Sequence, residues 1–350
     1  MDQQLTSGTT NIQELPAEHN ARLTGGEVAC LWTTFQQYSL MSCVFSHFER
    51  TVQDQAARDI FADLLPQTNS RVKFAADTFQ KEGIPIPMGF TQQDVNLSVP
   101  ALYSDIFSLN FLWNLMQLSL TLNVLSLSMA ARPDIRDFYA RVIKYIVEVN
   151  TRITDLMLAK GVLPRSPSLS MALEIERIHK PSFLAGIVGE KRPLLVAEVA
   201  HLHLNALRNE VGKAVLLGFR QVARNPEVRD YFQKGIQLAD TIVGELQQVA
   251  GDEHVYMNLV RDEDITASTE APFSDRLMIY MVTLLNSIGI GMKGVSMGVS
   301  MRRDLIAMYA KHMVQIGDYA TDGLHIMMAN DWLEEPPQIL DREKLAVYKH

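Results

Sequence analysis

Cysteine is scarce in this sequence. Among 350 residues only Cys30 and Cys43 occur. Both fall in one stretch of helical spacing, where a rise of ~1.5 Å per residue separates them by about 20 Å. A disulfide requires Cα atoms within about 7 Å of each other. The sequence therefore predicts two free thiols and a reducing, cytoplasmic location.

Positive charge is also in short supply. Lys and Arg total 32 against 40 Asp and Glu, which leaves a net charge of −8. A chain with this balance repels a phosphate backbone and offers no broad basic face. We expect no nucleic-acid partner.

A secretory signal and a clear membrane span are missing as well. Residues 1–20 are polar and lack the basic and apolar regions of a signal peptide, which predicts a flexible N-terminal arm. Residues 106–131 carry no charge and are long enough to cross a bilayer. Polar side chains recur throughout that stretch, however, and Arg132-Pro133 ends it as a sharp turn. We therefore expect a fully buried bundle helix and no membrane partner.

No stretch alternates between apolar and polar residues with period two, so the sequence predicts no strands. The chain instead repeats itself. Glu27-Val28-Ala29 recurs 171 positions later as Glu198-Val199-Ala200, and Ser104-Asp105 recurs 170 positions later as Ser274-Asp275. Such a constant offset indicates two copies of one fold.

Apolar spacing of three and four residues predicts four helices in each copy. Pro100 and Pro272 are expected to open the third helix of each copy, and Asn225-Pro226 to open a second helix. The predicted ranges are 24–52, 54–82, 100–131, 133–160, 194–224, 226–250, 272–301 and 303–331.

The connection between the second and third helices sets the topology. Residues 83–99 are long enough to run the whole length of a bundle, and residues 251–271 repeat this connection. The second and third helices should then be parallel, as in ferritin-like bundles with a single crossover. The sequence thus predicts an all-α protein of two tandem ferritin-like four-helix bundles. Its predicted parts are an N-terminal arm (1–20), a first bundle (21–160), a linker (161–193), a second bundle (194–334) and a C-terminal tail (335–350).

Several motifs resemble those of domain-of-unknown-function family 3231. They are Leu31-Trp32, the Gly-Phe-Thr-x-x-Asp-Val run at 89–95, Ser104-Asp105, the Ser-Met-x-x-Arg turns and the Trp-Leu-Glu-x-Pro-Pro run at 332–337. The resemblance covers nearly the whole chain and implies a two-repeat ferritin-like fold. The family occurs mainly in spore-forming Gram-positive bacteria, and some single-copy relatives carry a spore-coat label. It implies no activity, because the family has none established.

A metal-dependent ferritin-like oxidase or metal store, built on a di-metal centre, is one alternative. In ferritin-like enzymes such a centre takes a Glu from each of two helices and a Glu-x-x-His pair from each of the other two. The first copy has no such pair. The second copy has two similar pairs, Glu198 with His201 and Asp322 with His325, but these should lie about 20 Å apart along the bundle. A looser set remains in the second copy, for which iron or manganese would be the metal: Glu198, His203, Glu210 and Asp318.

A pocket for a small apolar ligand in the second bundle is another alternative. Gly291, Gly294 and Gly298 form a smooth helix face where the first copy has leucines. The run 289–294 also spells G-x-G-x-x-G, but no predicted strand precedes it, so we exclude a dinucleotide site.

The preferred interpretation is a non-enzymatic structural or interaction protein without a cofactor, associated with spores or stress. Its expected partners are a second copy of the chain or a spore-layer protein. Its expected location is the cytoplasm or the spore.

Overall fold

The computed structural model describes residues 21–170, 174, 177–187, 191–257 and 264–342. The predicted arm at 1–20 lies outside them. Within the described residues the chain forms eight α-helices and two short 3-10 helices, Gln92–Asp94 and Pro181–Leu184. The α-helices are Gly25–Thr51 (α1), Gln55–Glu82 (α2), Asp105–Met129 (α3), Pro133–Ala159 (α4), Val196–Val222 (α5), Pro226–Gly251 (α6), Asp275–Val299 (α7) and Arg303–Ala329 (α8).

Capping residues explain where the helices begin. Asn225 accepts a hydrogen bond from the Glu227 amide and Pro226 takes the first helical position, as the sequence predicts. Six helices start and end within two residues of their predicted bounds. The predicted openings of α3 and α7 at Pro100 and Pro272 are wrong. Ser104 and Ser274 cap these helices instead, because the residues before them are extended and pair with the other repeat.

Contacts between helix ends establish the topology of each bundle. The Asp105 carboxylate at the start of α3 accepts hydrogen bonds from the amides of Gln53 and Asp54, which immediately precede α2. The starts of α2 and α3 therefore lie together, so these helices are parallel and the predicted long crossover is confirmed. Asp275 makes the equivalent contacts with the amides of Arg224 and Asn225. A single long crossover is the connection of ferritin-like bundles, and membership of that superfamily stays a prediction.

The two crossovers bind each other in a reciprocal arrangement that we call the crossover clasp. It consists of two isolated β-bridges, Val95 with Phe273 and Tyr103 with Ile265, and two side-chain bonds. The Ser104 hydroxyl donates to Asp264 at 2.9 Å, and the Ser274 hydroxyl donates to Asp94 at 2.7 Å. Ser104 and Ser274 occupy matching positions of the repeat, as do Asp94 and Asp264, so the clasp has a pseudo-twofold relation.

An aromatic cluster joins the repeats beneath the clasp. Phe48 of the first repeat lies 6.4 Å from Tyr103, whose ring lies 6.5 Å from Phe219 of the second repeat. Phe219 in turn lies 6.1 Å from Phe273. Buried residues of both repeats thereby belong to one continuous hydrophobic core, and a smaller cluster fills the far end of the second bundle.

The charge-free helix of the first copy is less buried than predicted. The first half of α3 is in the core, but near its end Val124 is 49% exposed and Leu125 is 56% exposed. The expectation of full burial is therefore wrong for the second half. One described helix, α7, is long and apolar enough to cross a membrane by length and composition alone, and 28% of its most apolar window is buried.

Candidate functional site

A partly open space lies among the four helices of the second repeat. It is a cavity of about 120 Å³ bounded by α5, α6, α7 and α8. Side chains of α3 from the first repeat close its remaining side: Phe111, Asn114, Leu115 and Leu118. Both repeats are therefore required to form this cavity, which we call the inter-repeat cavity.

Comparison of the repeats explains why the cavity exists. Gly212 and Gly235 line it at positions where the first repeat, 171 residues earlier, has Met41 and Leu64. Met41 and Leu64 line the equivalent space of the first repeat, which is only about 30 Å³. A Cβ added at Gly212 would meet nothing within 4 Å, so this glycine leaves space that a side chain could fill, whereas a Cβ at Gly235 would overlap the Tyr319 side chain, which already occupies the space beside that glycine.

The equivalent space in the first repeat is filled by a cation held between aromatic rings. The Arg71 guanidinium lies 4.8 Å from the centroid of Tyr38 and 5.1 Å from that of Tyr145. The second repeat has Ile242 at the position of Arg71 and Asn209 at that of Tyr38, and both line the larger cavity. The two repeats thus share a backbone arrangement but differ in how completely they fill it.

Lys293 is the principal charged group at the inter-repeat cavity. Its side chain on α7 is 1% exposed, lines the cavity, and has no hydrogen-bond partner for its Nζ atom. Burial lowers the pKa of Lys293 to about 8. Unpartnered buried ammonium groups are costly, and their presence in a cavity marks a candidate binding site.

A second cation lies on the neighbouring helix. Arg208 of α5 lines the same cavity, its Nε atom is buried without a partner, and burial lowers its pKa to about 10. Among the residues that the structure describes, no carboxylate forms an ion pair with Lys293 or Arg208, and no Asp or Glu lines the cavity. The site therefore combines apolar walls with uncompensated positive charge.

Glu198, the first of the predicted metal ligands, has another role. Its carboxylate accepts hydrogen bonds at 2.8 Å from each terminal nitrogen of Arg192, and further bonds from the amides of Leu195, Met301 and Arg302. Burial raises the pKa of Glu198, but these hydrogen bonds outweigh burial and leave the pKa below its ordinary value. The carboxylate joins the start of α5 to the turn before α8.

The repeat supports this structural role for Glu198. Glu27, its counterpart, accepts hydrogen bonds from Thr24 and from the amides of Ala131 and Arg132 before α4. Both glutamates stand at the third position of their helix and join the same elements. The same local contact is therefore made in a copy for which no metal is expected.

The other predicted metal ligands lie apart from Glu198. Glu210 is about 18 Å further along α5 by helical rise and lies 4.0 Å from Lys213. His203 is buried with no hydrogen-bond partner at either ring nitrogen, and Asp318 is exposed on α8. Within the described part of the chain no group of three or more His, Cys, Asp or Glu side chains could hold a metal ion. These residues do not form one coordination site, and they do not fit a di-metal centre.

The glycines predicted to line a pocket lie elsewhere on α7. Gly291 and Gly298 are exposed, and a Cβ at Gly294 would come no closer than 4.0 Å to Met313. None of the three lines the inter-repeat cavity, whereas Gly289 does. The G-x-G-x-x-G run lies inside a continuous helix, which is incompatible with the strand-to-helix turn of a dinucleotide site.

Sequence reasoning missed Lys293, Arg208, Gly212 and Gly235. Aligning the repeats over their full length would have found the two glycines, because each replaces a large side chain of the first copy. The two cations gave no such signal, since their isolation depends on which residues surround them in three dimensions.

The class of protein is now defined: a duplicated, all-α protein of two four-helix bundles, each with one long crossover, joined through a shared core. The sequence matches the profile of DUF3231, described as a protein of unknown function, over residues 13–172 and 182–345. The chain belongs to this family, which confirms the resemblance drawn from its motifs. The two matched segments correspond to the two repeats.

Other comparisons add little. A solved structure from Bacillus halodurans C-125, provisionally named a spore coat protein, is 17% identical, with a TM-score of 0.38 over 43% of this chain and 98% of that one. No curated protein matches the chain.

Proposed function

We propose that this protein is a non-enzymatic structural or interaction protein, built as a preassembled pair of bundles. The crossover clasp is the observation that supports it. Each crossover supplies an aspartate to the serine cap of the other repeat, at 2.7 Å and 2.9 Å. The repeats are thereby held as two halves of one body, as a dimer of single-copy relatives would be.

The polar residues that recur in both repeats support the same proposal. Asp105 and Asp275 bind the amides at the turns before α2 and α6. Arg132 binds Glu82 at 2.5 Å, and its counterpart Arg302 lies 3.3 Å from Glu253. These recurring charges hold helix ends together, which is a scaffolding role and leaves them unavailable as substrate ligands.

Elemental analysis tests the non-enzymatic part of the proposal. The full chain is purified without chelator from cells grown with iron and manganese, and substoichiometric metal is expected. A metal ion bound at one or more per chain, and lost in Glu210→Ala but not in the exposed control Glu227→Ala, would overturn it in favour of the oxidase or metal-store alternative.

Association with spores or stress is the finer part of the proposal. It is supported by the resemblance of the sequence motifs to a family of spore-forming bacteria, and it names a spore-layer protein or a second copy of the chain as partner. A fluorescent fusion, expressed in the organism that encodes the protein, should become concentrated in the spore during sporulation or rise in amount under stress. A constant, diffuse cytoplasmic signal under both conditions contradicts this part.

A further inference from the structure

We propose that the inter-repeat cavity binds a small monocarboxylate with an apolar body, whose carboxylate lies against Lys293. This site is independent of the proposed scaffolding role, since a scaffold can hold such a ligand or lack it. It rests on three features of the cavity: its isolated positive charge, its apolar walls and its size.

The charge of Lys293 calls for an anion. The ammonium group is almost entirely removed from solvent, and its Nζ atom has no hydrogen-bond partner. The nearby His312 cannot neutralise it, because that imidazole is bonded to Glu245 at 3.0 Å and carries no negative charge. A ligand carboxylate would supply both the missing acceptor and the missing charge.

A second cation at the cavity agrees with an anionic ligand, since Arg208 of α5 lines it as well. Asn114 of α3 donates its amide nitrogen to the Asn110 carbonyl at 2.9 Å, and its Oδ1 atom is buried without a partner, so Asn114 offers an acceptor and does not hold the carboxylate. With no acidic residue among the described lining, a cationic ligand would find no counter-ion here.

The walls require the rest of the ligand to be apolar. They are formed largely by aliphatic side chains from both repeats: Leu115, Leu118, Leu238, Leu285, Ile288 and Ile316. Polar groups of a ligand that are buried against these aliphatic side chains would lose their hydrogen bonds to water, which is unfavourable. An alkyl or aryl body gains from the same burial.

The size of the cavity limits the body of the ligand. A cavity of about 150 Å³ accommodates benzene in other proteins, and this one has about 120 Å³. The expected ligand therefore has about six carbons in all, as in hexanoate, with about five of them in the apolar body. Longer chains would have to protrude through the partly exposed rim at Asn209 and Gly212.

Titration calorimetry with the full chain tests the site, using hexanoate, hexanol and hexylamine as probes. Hexanoate is expected to bind about tenfold or more tightly than hexanol, because a charge-assisted bond to Lys293 is added to the same apolar contact. Hexylamine should not bind. Absence of hexanoate binding, or equal affinity for hexanoate and hexanol, overturns the proposal.

Two variants separate the role of charge from the role of space. Lys293→Met keeps an unbranched side chain that is one heavy atom shorter and removes its charge, so hexanoate should bind about tenfold more weakly while hexanol is unaffected. Gly212→Met introduces the residue that the first repeat has at this position, and should abolish binding of both probes by filling the cavity. Gly244→Met is the matched control, since Gly244 is exposed on α6 and open to solvent.

These variants also guard against a trivial failure to fold. Lys293→Met removes an unpartnered buried charge and is expected to raise the melting temperature, so loss of hexanoate binding in that variant is attributable to the site. Undiminished hexanoate binding by a folded Lys293→Met protein would contradict the inference. Metal content plays no part in this test, so its outcome is distinct from that of the proposed function.

Discussion

At the scale of single residues, His47 illustrates how the shared core sets a protonation state. The imidazole is 1% exposed, has no hydrogen-bond partner, and packs edge-on against Phe273 of the other repeat at 5.4 Å. Burial lowers its pKa to about 4. The residue is therefore neutral in the folded protein at pH values where the unfolded chain already binds a proton.

The depressed pKa of His47 predicts a loss of stability in mild acid. Its contribution is fully present above the ordinary pKa of 6.5 and is lost as the pH falls toward 4. The loss amounts to about 3 kcal/mol over this interval. Urea unfolding at several pH values should show a shallower acid dependence for His47→Leu than for the wild type. Parallel profiles for wild type and His47→Leu would contradict the prediction.

Gly218 is the second-repeat counterpart of His47. The glycine leaves room for the ring of Tyr103, whereas the His47 side chain itself packs against the ring of Phe273. A Cβ at Gly218 would lie 2.5 Å from the hydroxyl oxygen of Tyr103, which donates a hydrogen bond to the Val215 carbonyl at 2.8 Å. Tyr103 and Phe273 occupy matching positions of the repeat. Tyr103, which is larger by its hydroxyl group, packs against Gly218, and Phe273 packs against His47.

Gly218→Ala is expected to lower the free energy of unfolding by about 1–3 kcal/mol, because it overpacks the junction between the repeats. Chemical denaturation measures the change. Gly244→Ala, at an open helical site, should instead be neutral or stabilising by up to about 1 kcal/mol. Equal effects of the two substitutions would exclude close packing at Gly218 as the cause.

At the scale of secondary-structure elements, two buried glutamates hold the helix ends together. Glu27 and Glu198 each join the first helix of a repeat to the turn before its fourth helix. Glu198 additionally pairs with Arg192 at 2.8 Å, so it also attaches the segment before α5. The ion pair with Arg192 thus distinguishes Glu198 from Glu27.

Glu198→Gln is expected to destabilise the protein by about 3–5 kcal/mol, since it leaves Arg192 without its buried partner. Glu27→Gln should cost less, because its partners are neutral. The free energy of unfolding of both variants, measured by chemical denaturation with and without EDTA, checks these two predictions. A loss of stability confined to metal-loaded protein would instead assign Glu198 to a metal site.

At the scale of the whole molecule, the clasp and the aromatic cluster make the two repeats interdependent. Phe48, Tyr103, Phe219 and Phe273 bring side chains from both repeats into one core. The tail after α8 adds a further tie, since Glu334 accepts a hydrogen bond from the Gly89 amide at 3.1 Å and is also bonded to Gln36. A domain boundary drawn between the repeats therefore separates chain segments but does not divide the core.

One cooperative unfolding transition is expected for the full chain. Scanning calorimetry should give a calorimetric enthalpy equal to the van't Hoff enthalpy. Phe219→Ala, although confined to the second repeat, should lower the melting temperature of the whole protein. Two separate transitions in the wild type would show that the repeats unfold independently.

Features that depend on local chemistry and on repetition were predictable from the amino-acid sequence. Helical periodicity, the Asn225-Pro226 start and the length of residues 83–99 were sufficient to predict eight helices, their approximate bounds and the crossover topology. These features were predictable because each depends on residues close together in the chain, or on simple limits of reach.

The way in which the repeats join, and the surroundings of the candidate site residues, became visible in the folded structure alone. Ser104, and not Pro100, begins α3 because the other repeat holds the preceding residues extended. The cavity that Lys293 lines is closed by Phe111 and Asn114, which belong to a helix about 180 residues earlier in the chain. Whether a buried charge has a partner is a property of everything packed around it, and no local pattern in the sequence records that environment.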